Sequence, residues 1–173
     1  MSSALATILF FLPAGIANAA PVLANKIPVI KKWQTPLDMG VKWQGKPLLG
    51  KNKTWRGLIT GSLIAGLSAL LLSPVVDYGG GWPVAFGLGA VMGFGALFGD
   101  AAESALKRQR GITSGNSWFP FDQVDYIIGG LIFLVPVTNL TWSQMGLIFV
   151  SFFGLHLLTA YVGYLLGLKD KPI

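Results

Sequence analysis

Five apolar stretches, each about 20 residues long, restrict this chain more than any other feature. They run roughly over Ala4–Ala24, Gly57–Val76, Trp82–Leu106, Asp122–Leu140 and Gln144–Leu168. A helix of that length crosses the hydrocarbon core of a bilayer, and in lipid an isolated spanning segment must satisfy its backbone N–H and C=O groups internally. The reading is therefore an all-α, polytopic membrane protein with five transmembrane helices. Composition agrees, with 53% hydrophobic and 12% charged residues and a mean hydropathy of +0.61, far from a soluble domain of 173 residues. That length allows one integral-membrane domain, residues 1-173. Pro13 and Pro136 are expected to kink the first and fourth spans, because each removes a backbone donor. Ala17-Asn18-Ala19 looks like a small-residue cleavage site, but no Lys or Arg precedes it, so the segment reads as a span and not a signal peptide.

Loop charge sets the expected orientation. Of thirteen Lys and Arg, eight lie between Lys26 and Arg56, three at 107–110, and two are Lys169 and Lys171. The segments on the other side, the N-terminus, Asp77–Gly81 and Thr141–Ser143, carry none. By the positive-inside rule the N-terminus is outside and the C-terminus cytoplasmic, in a cell membrane. The Trp residues fall in loops or at span ends, as interfacial anchors do.

Two segments on the basic side carry polar residues suited to chemistry, loops about 25-56 and 107-121. The first ends in GKPLLGKNKTWRG, Gly45 to Gly57. Its glycines allow close backbone approach, Lys46, Lys51, Lys53 and Arg56 add charge, and Asn52 or Thr54 suits an N-cap for the second helix. That helix start could attract phosphate, but taken alone the segment reads first as a polybasic loop resting on anionic headgroups. It is not a Walker A loop. The second segment, Gly99 to Asp125, holds four of the seven acidic residues, Asp100, Glu103, Asp122 and Asp125, with Lys107, Arg108 and Arg110 between them. Asp100 and Glu103 share a helix face, and Asp122 and Asp125 repeat the spacing. Two carboxylate pairs could converge on Mg²⁺, an oxygen-seeking cation. The ordinary alternative pairs Glu103 with Lys107 at i,i+4 and leaves Asp122 and Asp125 to favour a helix N-terminus.

This block resembles the signature of the CTP-dependent phosphatidate cytidylyltransferases, the CDP-diacylglycerol synthase family. The matching residues are Gly99, Asp100, Glu103, Ser104, Lys107, Arg108, Gly111, Ile112, Pro120, Asp122, Val124 and Asp125. A second family motif, before a transmembrane helix, is matched by Lys53, Thr54, Trp55 and Gly57. Some positions depart from the pattern. Trp118-Phe119-Pro120-Phe121 replaces a His-Gly-Gly region, Gln123 stands for an Arg, Asn52 for a Gly, and Arg56 for an acid or amide. With the short chain, these departures look like the archaeal branch of the family, the CDP-archaeol synthases.

The resemblance implies transfer of CMP from CTP to the phosphate of an ether-linked isoprenoid glycerol phosphate, releasing pyrophosphate. It implies Asp100, Glu103, Asp122 and Asp125 as metal ligands. Lys53, Lys107, Arg108 and Arg110 become phosphate-gripping groups, Asn52 and Thr54 hydrogen-bonding groups, and Trp55 and Arg56 further members of the nucleotide motif. The expected partners are CTP, the lipid phosphate and the bilayer, with a second copy of the chain allowed and nucleic acid excluded. An ester-lipid phosphatidate cytidylyltransferase is the nearest alternative. A small cation transporter is the alternative from another class, although it would place ionisable groups near the midplane and not at one face. His156, alone in the fifth span, reads as hydrogen-bonded within the bundle, and the glycines at 87, 89, 93, 95 and 99 as close-packing positions or room for a lipid groove.

Overall fold

The computed structural model describes residues 3–24, 27 and 32–167. Lys26, Lys31, Lys169 and Lys171 lie outside the described residues, as do parts of the 25-56 loop and the end of the expected fifth span. Among the described residues there are five α-helices: α1 (Ser3–Ala24), α2 (Trp55–Leu72), α3 (Trp82–Gln109), α4 (Phe121–Leu134) and α5 (Trp142–Leu165). Each overlaps one expected span. Four helices, α1, α2, α3 and α5, are long and apolar enough to cross a membrane. The exception is α4. Its 14 residues rise only about 21 Å at 1.5 Å each, less than the ~30 Å hydrocarbon core.

Proline explains where α4 stops. Pro136 was expected to kink a longer helix; instead the α-helix ends at Leu134 and a 3₁₀ turn, Val135–Val137, follows. Pro13 and Pro21, by contrast, lie within an unbroken α1. At the starts of α2 and α5 a threonine side chain supplies the cap. The Thr141 hydroxyl accepts from the Gln144 amide while the Gln144 side chain accepts from the Thr141 amide, a reciprocal capping box.

α3 runs through the middle of the bundle, packed mainly against α2 on one side and α4 on the other, with α1 against both α2 and α3. Glycine makes this possible. A Cβ on Gly93 would come within 2.5 Å of the Ala65 Cβ on α2, and one on Gly95 within 2.6 Å of the Gly129 carbonyl oxygen on α4. A Cβ on Gly99 would collide with the Asp125 carbonyl oxygen. The small-residue stripe is thus a packing surface toward two neighbours, Gly87 alone facing open space. Phe11, Met92, Ile127, Leu134, Ile148 and Phe152 fill the core. Tyr126 donates to the Phe152 carbonyl at 3.1 Å, joining α4 to α5. His156 sits in this region, its ring 5.8 Å from that of Tyr126. Leu67, Leu71, Ile132, Val150 and Leu158 point outward, where lipid would cover them.

One addition to the helical reading lies in the 32–54 segment. Lys42–Trp43 (β1) pairs antiparallel with Lys46–Pro47 (β2) in a small hairpin. Gln44 and Gly45, between the strands, both have positive φ. Asp38 organises the segment: one carboxylate oxygen accepts from the Leu49 and Gly50 amides at 2.8 and 3.3 Å, the other from Gly40 at 3.0 Å. Burial opposes the charge, but the amides of Leu49, Gly40 and Gly50 outweigh it and hold the Asp38 carboxyl below its ordinary range.

Candidate active site

The 28 residues of α3 extend about 42 Å, so its last turns reach past a hydrocarbon core of ~30 Å. Those turns carry Asp100, Glu103, Lys107 and Arg108. α4 begins beside them with Asp122 and Asp125, and the 32–54 segment lies across the same end. Lys46 donates to the Gln109 carbonyl at 2.7 Å, and Asn52 to the Ser114 hydroxyl at 2.8 Å. The polar residues of both sequence motifs therefore meet at one end of the bundle.

Between these elements lies a cavity of about 480 Å³. Lys51, Lys53, Lys107 and Arg108 line it together with Asp100, Glu103 and Asp122, and Asn52, Ser104 and Ser114 add neutral polar groups. A second cavity of about 250 Å³ adjoins it, sharing Asn52, Lys53 and Asp100, with Asn18, Thr54 and Leu97 also on its wall. Lys53 and Asp100 join at 2.6 Å where the two spaces meet. Residues 47 positions apart in the chain thus bind the two motifs directly.

The other cation is deeper. Lys107 is buried and lies 2.5 Å from Asp122 Oδ1 and 3.6 Å from Glu103 Oε1. Asp122 Oδ2 also accepts from the Trp118 amide at 2.6 Å, which fixes the turn into α4. The i,i+4 pair of Glu103 with Lys107 does form, but inside a triad that includes Asp122. Glu103 Oε1 accepts no hydrogen bond in this arrangement. Among the described residues no group of three acidic side chains is close enough to hold a metal ion. Three of the four acids, Asp100, Glu103 and Asp122, line one cavity, where Lys53 pairs with the first and Lys107 with the other two.

The remaining motif residues have distinct placements. Thr54 caps α2, its hydroxyl accepting from the Gly57 amide at 3.2 Å, and the Trp55 amide donates to Thr35 at 3.0 Å. Two amides at this helix start are therefore already engaged, which leaves the lysines as the main anion-attracting groups. Arg56 is turned inward and buried, while Trp55 is partly exposed; neither lines the polar cavities. Arg110 lies 4.8 Å over the Trp118 ring, a cation–π contact outside the cavity. Asp125 Oδ1 accepts from the Tyr126 amide, and Asp125 shares an apolar groove with Glu103.

Sequence reading did not single out Asp38, Ser114 or the docking of Lys46. Asp38 carried a usable signal, since an Asp two residues before a Gly favours a side-chain-stabilised turn. Ser114 carried none, because its partner is 62 residues away.

Comparison with known proteins identifies the family. The model of the CarS-like CDP-archaeol synthase family matches residues 1–173. A CDP-archaeol synthase of Thermococcus kodakarensis is 35% identical over 94% of this chain and 92% of its own length. One from Hyperthermus butylicus is 34% identical over 97% and 95%. A solved structure, described as an intramembrane enzyme for archaeal membrane lipids biosynthesis, superposes with a TM-score of 0.72 at 30% identity, covering 88% of this chain and 90% of that one.

Proposed function

Because the chain belongs to the CDP-archaeol synthase family, we propose that the 480 Å³ cavity is where CMP passes from CTP to a lipid phosphate. The protein is a multi-pass membrane enzyme, a CTP-dependent cytidylyltransferase of archaeal lipid biosynthesis. Its acceptor is an ether-linked isoprenoid glycerol phosphate and its product a CDP-lipid of the archaeol type. The observation that carries the site assignment is the Lys53–Asp100 contact, which brings the two family motifs to one cavity.

A non-bridging oxygen of the lipid phosphate attacks the α-phosphorus of CTP. The bond from that phosphorus to the oxygen bridging the β-phosphate breaks, and pyrophosphate leaves with the electron pair. The nucleophile is already an anion, so no side chain has to remove a proton. The barrier is the approach of two anions and the charge gathering on the leaving group, which positioned cations lower. Lys53 and Lys51 are placed to draw the triphosphate in, and Arg108 to hold it. Lys107, deeper and beside Glu103 and Asp122, is placed to meet charge that develops during transfer.

Four cations and three carboxylates line the cavity, too small an excess of positive charge for a triphosphate and a second phosphate together. Carboxylate oxygens are the donors Mg²⁺ takes, and Asp100, Glu103 and Asp122 on the cavity wall, with Asp125 from the adjoining groove, are the residues that would hold it once drawn together. When bound, the ion would neutralise phosphate oxygens and orient the triphosphate. Lys53 and Lys107, no longer confined to their carboxylates, would then face the nucleotide. The one-sided distribution of basic residues supports a cytoplasmic location for the cavity.

Purified protein with radiolabelled CTP, Mg²⁺ and an ether-linked isoprenoid glycerol phosphate should give a labelled lipid and pyrophosphate in equal amounts. The matching ester lipid should be the poorer acceptor. Absence of labelled lipid with either acceptor would rule the assignment out.

A further inference from the structure

We infer that the apolar groove between α3 and α4 seats one hydrocarbon chain of the lipid phosphate, leading its head to Glu103 at the wall of the polar cavity. This rests on the reading of the cavity as the transfer site. The groove encloses about 240 Å³, and its lining is almost wholly hydrocarbon and aromatic. Phe98 and Leu106 of α3 and Phe121, Ile128 and Ile132 of α4 form its rim, and each is 44–62% exposed on the outer face of the bundle. It therefore opens sideways, toward where the bilayer lies.

Glycine produces the groove. α3 and α4 meet backbone to backbone at Gly99 and Gly129, where a Cβ on either would strike the opposite main chain. The large side chains on each side then stand as banks around a shallow trough. Two polar residues, Glu103 and Asp125, interrupt that lining, and Glu103 lines the polar cavity as well. The two spaces thus share a wall at Glu103. Any apolar groove in a membrane protein meets lipid, but this one ends at a buried carboxylate beside Lys107. A lipid bearing a phosphate head is the occupant that uses both ends.

Two groove-filling variants test the assignment. Ala102→Phe adds a ring beside Glu103, and Ile132→Trp fills the far end, seven residues beyond Asp125 and about 10 Å along the helix. Each should raise KM for the lipid phosphate about tenfold while leaving KM for CTP within about twofold. The wild-type protein supplies a check that needs no altered fold. A lipid phosphate with a diazirine on its chain should label Phe98, Leu106, Ile128 or Ile132, and unlabelled lipid phosphate should suppress that labelling where a choline-headed phospholipid does not. An unchanged lipid KM in both variants, or equal suppression by the two lipids, overturns the groove as substrate seat while CTP turnover continues. Loss of CTP turnover in the wild type would instead overturn the transfer site and this inference with it.

Discussion

Lys53 and Lys107 neutralise acidic residues of the same site but differ in burial, and burial decides what removing each should do. Lys53 is partly exposed at the mouth of the cavity and pairs only with Asp100 among the described residues. Lys53→Ala should therefore weaken CTP binding, raising KM about tenfold, with a smaller effect on kcat. Lys107 sits between Glu103 and Asp122, where it can act on charge that appears only during transfer. Lys107→Ala should cost kcat more than affinity, and, because it strands two carboxylates, it should also lower thermal stability. Asp100→Asn and Asp125→Asn should abolish turnover in a folded protein, since a neutral amide is a poor Mg²⁺ ligand, with Glu103→Gln and Asp122→Asn severely impaired. CTP kinetics in detergent, with melting curves, separate these effects. Unchanged kinetics for both lysine variants would make the 45–57 segment a headgroup-binding loop. The acidic residues were legible because charge is conspicuous in an apolar chain. The Glu103–Lys107 pair was legible from its i,i+4 spacing, but the other lysine contacts were not, because Lys53 reaches Asp100 across 47 positions and Lys107 reaches Asp122 across 15, which no local rule connects.

Among the elements, α1, α2, α3 and α5 were legible from hydropathy because each is a long apolar run. The Thr54 cap was legible from helix-start chemistry. The hairpin was not, since strands of two residues are too short to show alternation, and its order comes from Asp38 reaching Leu49 and Gly50. That dependence is testable. Asp38 has a lowered folded-state pKa, so its contribution is complete above the ordinary carboxylate value and is lost as pH falls through the folded value. The hairpin should stay closed at neutral pH and loosen only in acid. Asp38→Asn should loosen it at pH 7, because an amide cannot present two acceptor oxygens to three amides. With Lys53 and Asn52 then less fixed, CTP affinity should fall severalfold, on the order of 1 kcal/mol, while Ser73-to-Trp82 loop accessibility stays the same. Limited proteolysis in the 38–50 region at pH 7 measures the loosening, and equal resistance of wild type and variant would remove Asp38 from this role.

For the whole molecule, the site is one-sided because charge and apolar length are segregated along the chain. The described basic residues lie in the 32–54 segment, the first turn of α2, the end of α3 and the turn into α4. These form the end where the motifs meet. The connections at the other end, 73–81 and 138–141, carry Asp77 and no Lys or Arg. This polarity predicts that the active end faces the cytoplasm and that Thr141 lies on the opposite side. The short α4 makes the prediction demanding, because Thr141 can reach the far side only if α4, the Val135–Val137 turn and the residues after it together cross. From Phe121 to Thr141 is 20 steps, about 30 Å even at helical rise, enough to span. The chain has no cysteine, so single Cys variants at Gly111 and Thr141 can be labelled with a membrane-impermeant maleimide in intact cells and in inverted vesicles. Thr141→Cys should react in cells and Gly111→Cys only in inverted vesicles. Reaction of both from one side would make α4 a re-entrant element, invert the placement of α5, and put the charged cavity and the α5 C-terminus on opposite faces of the membrane.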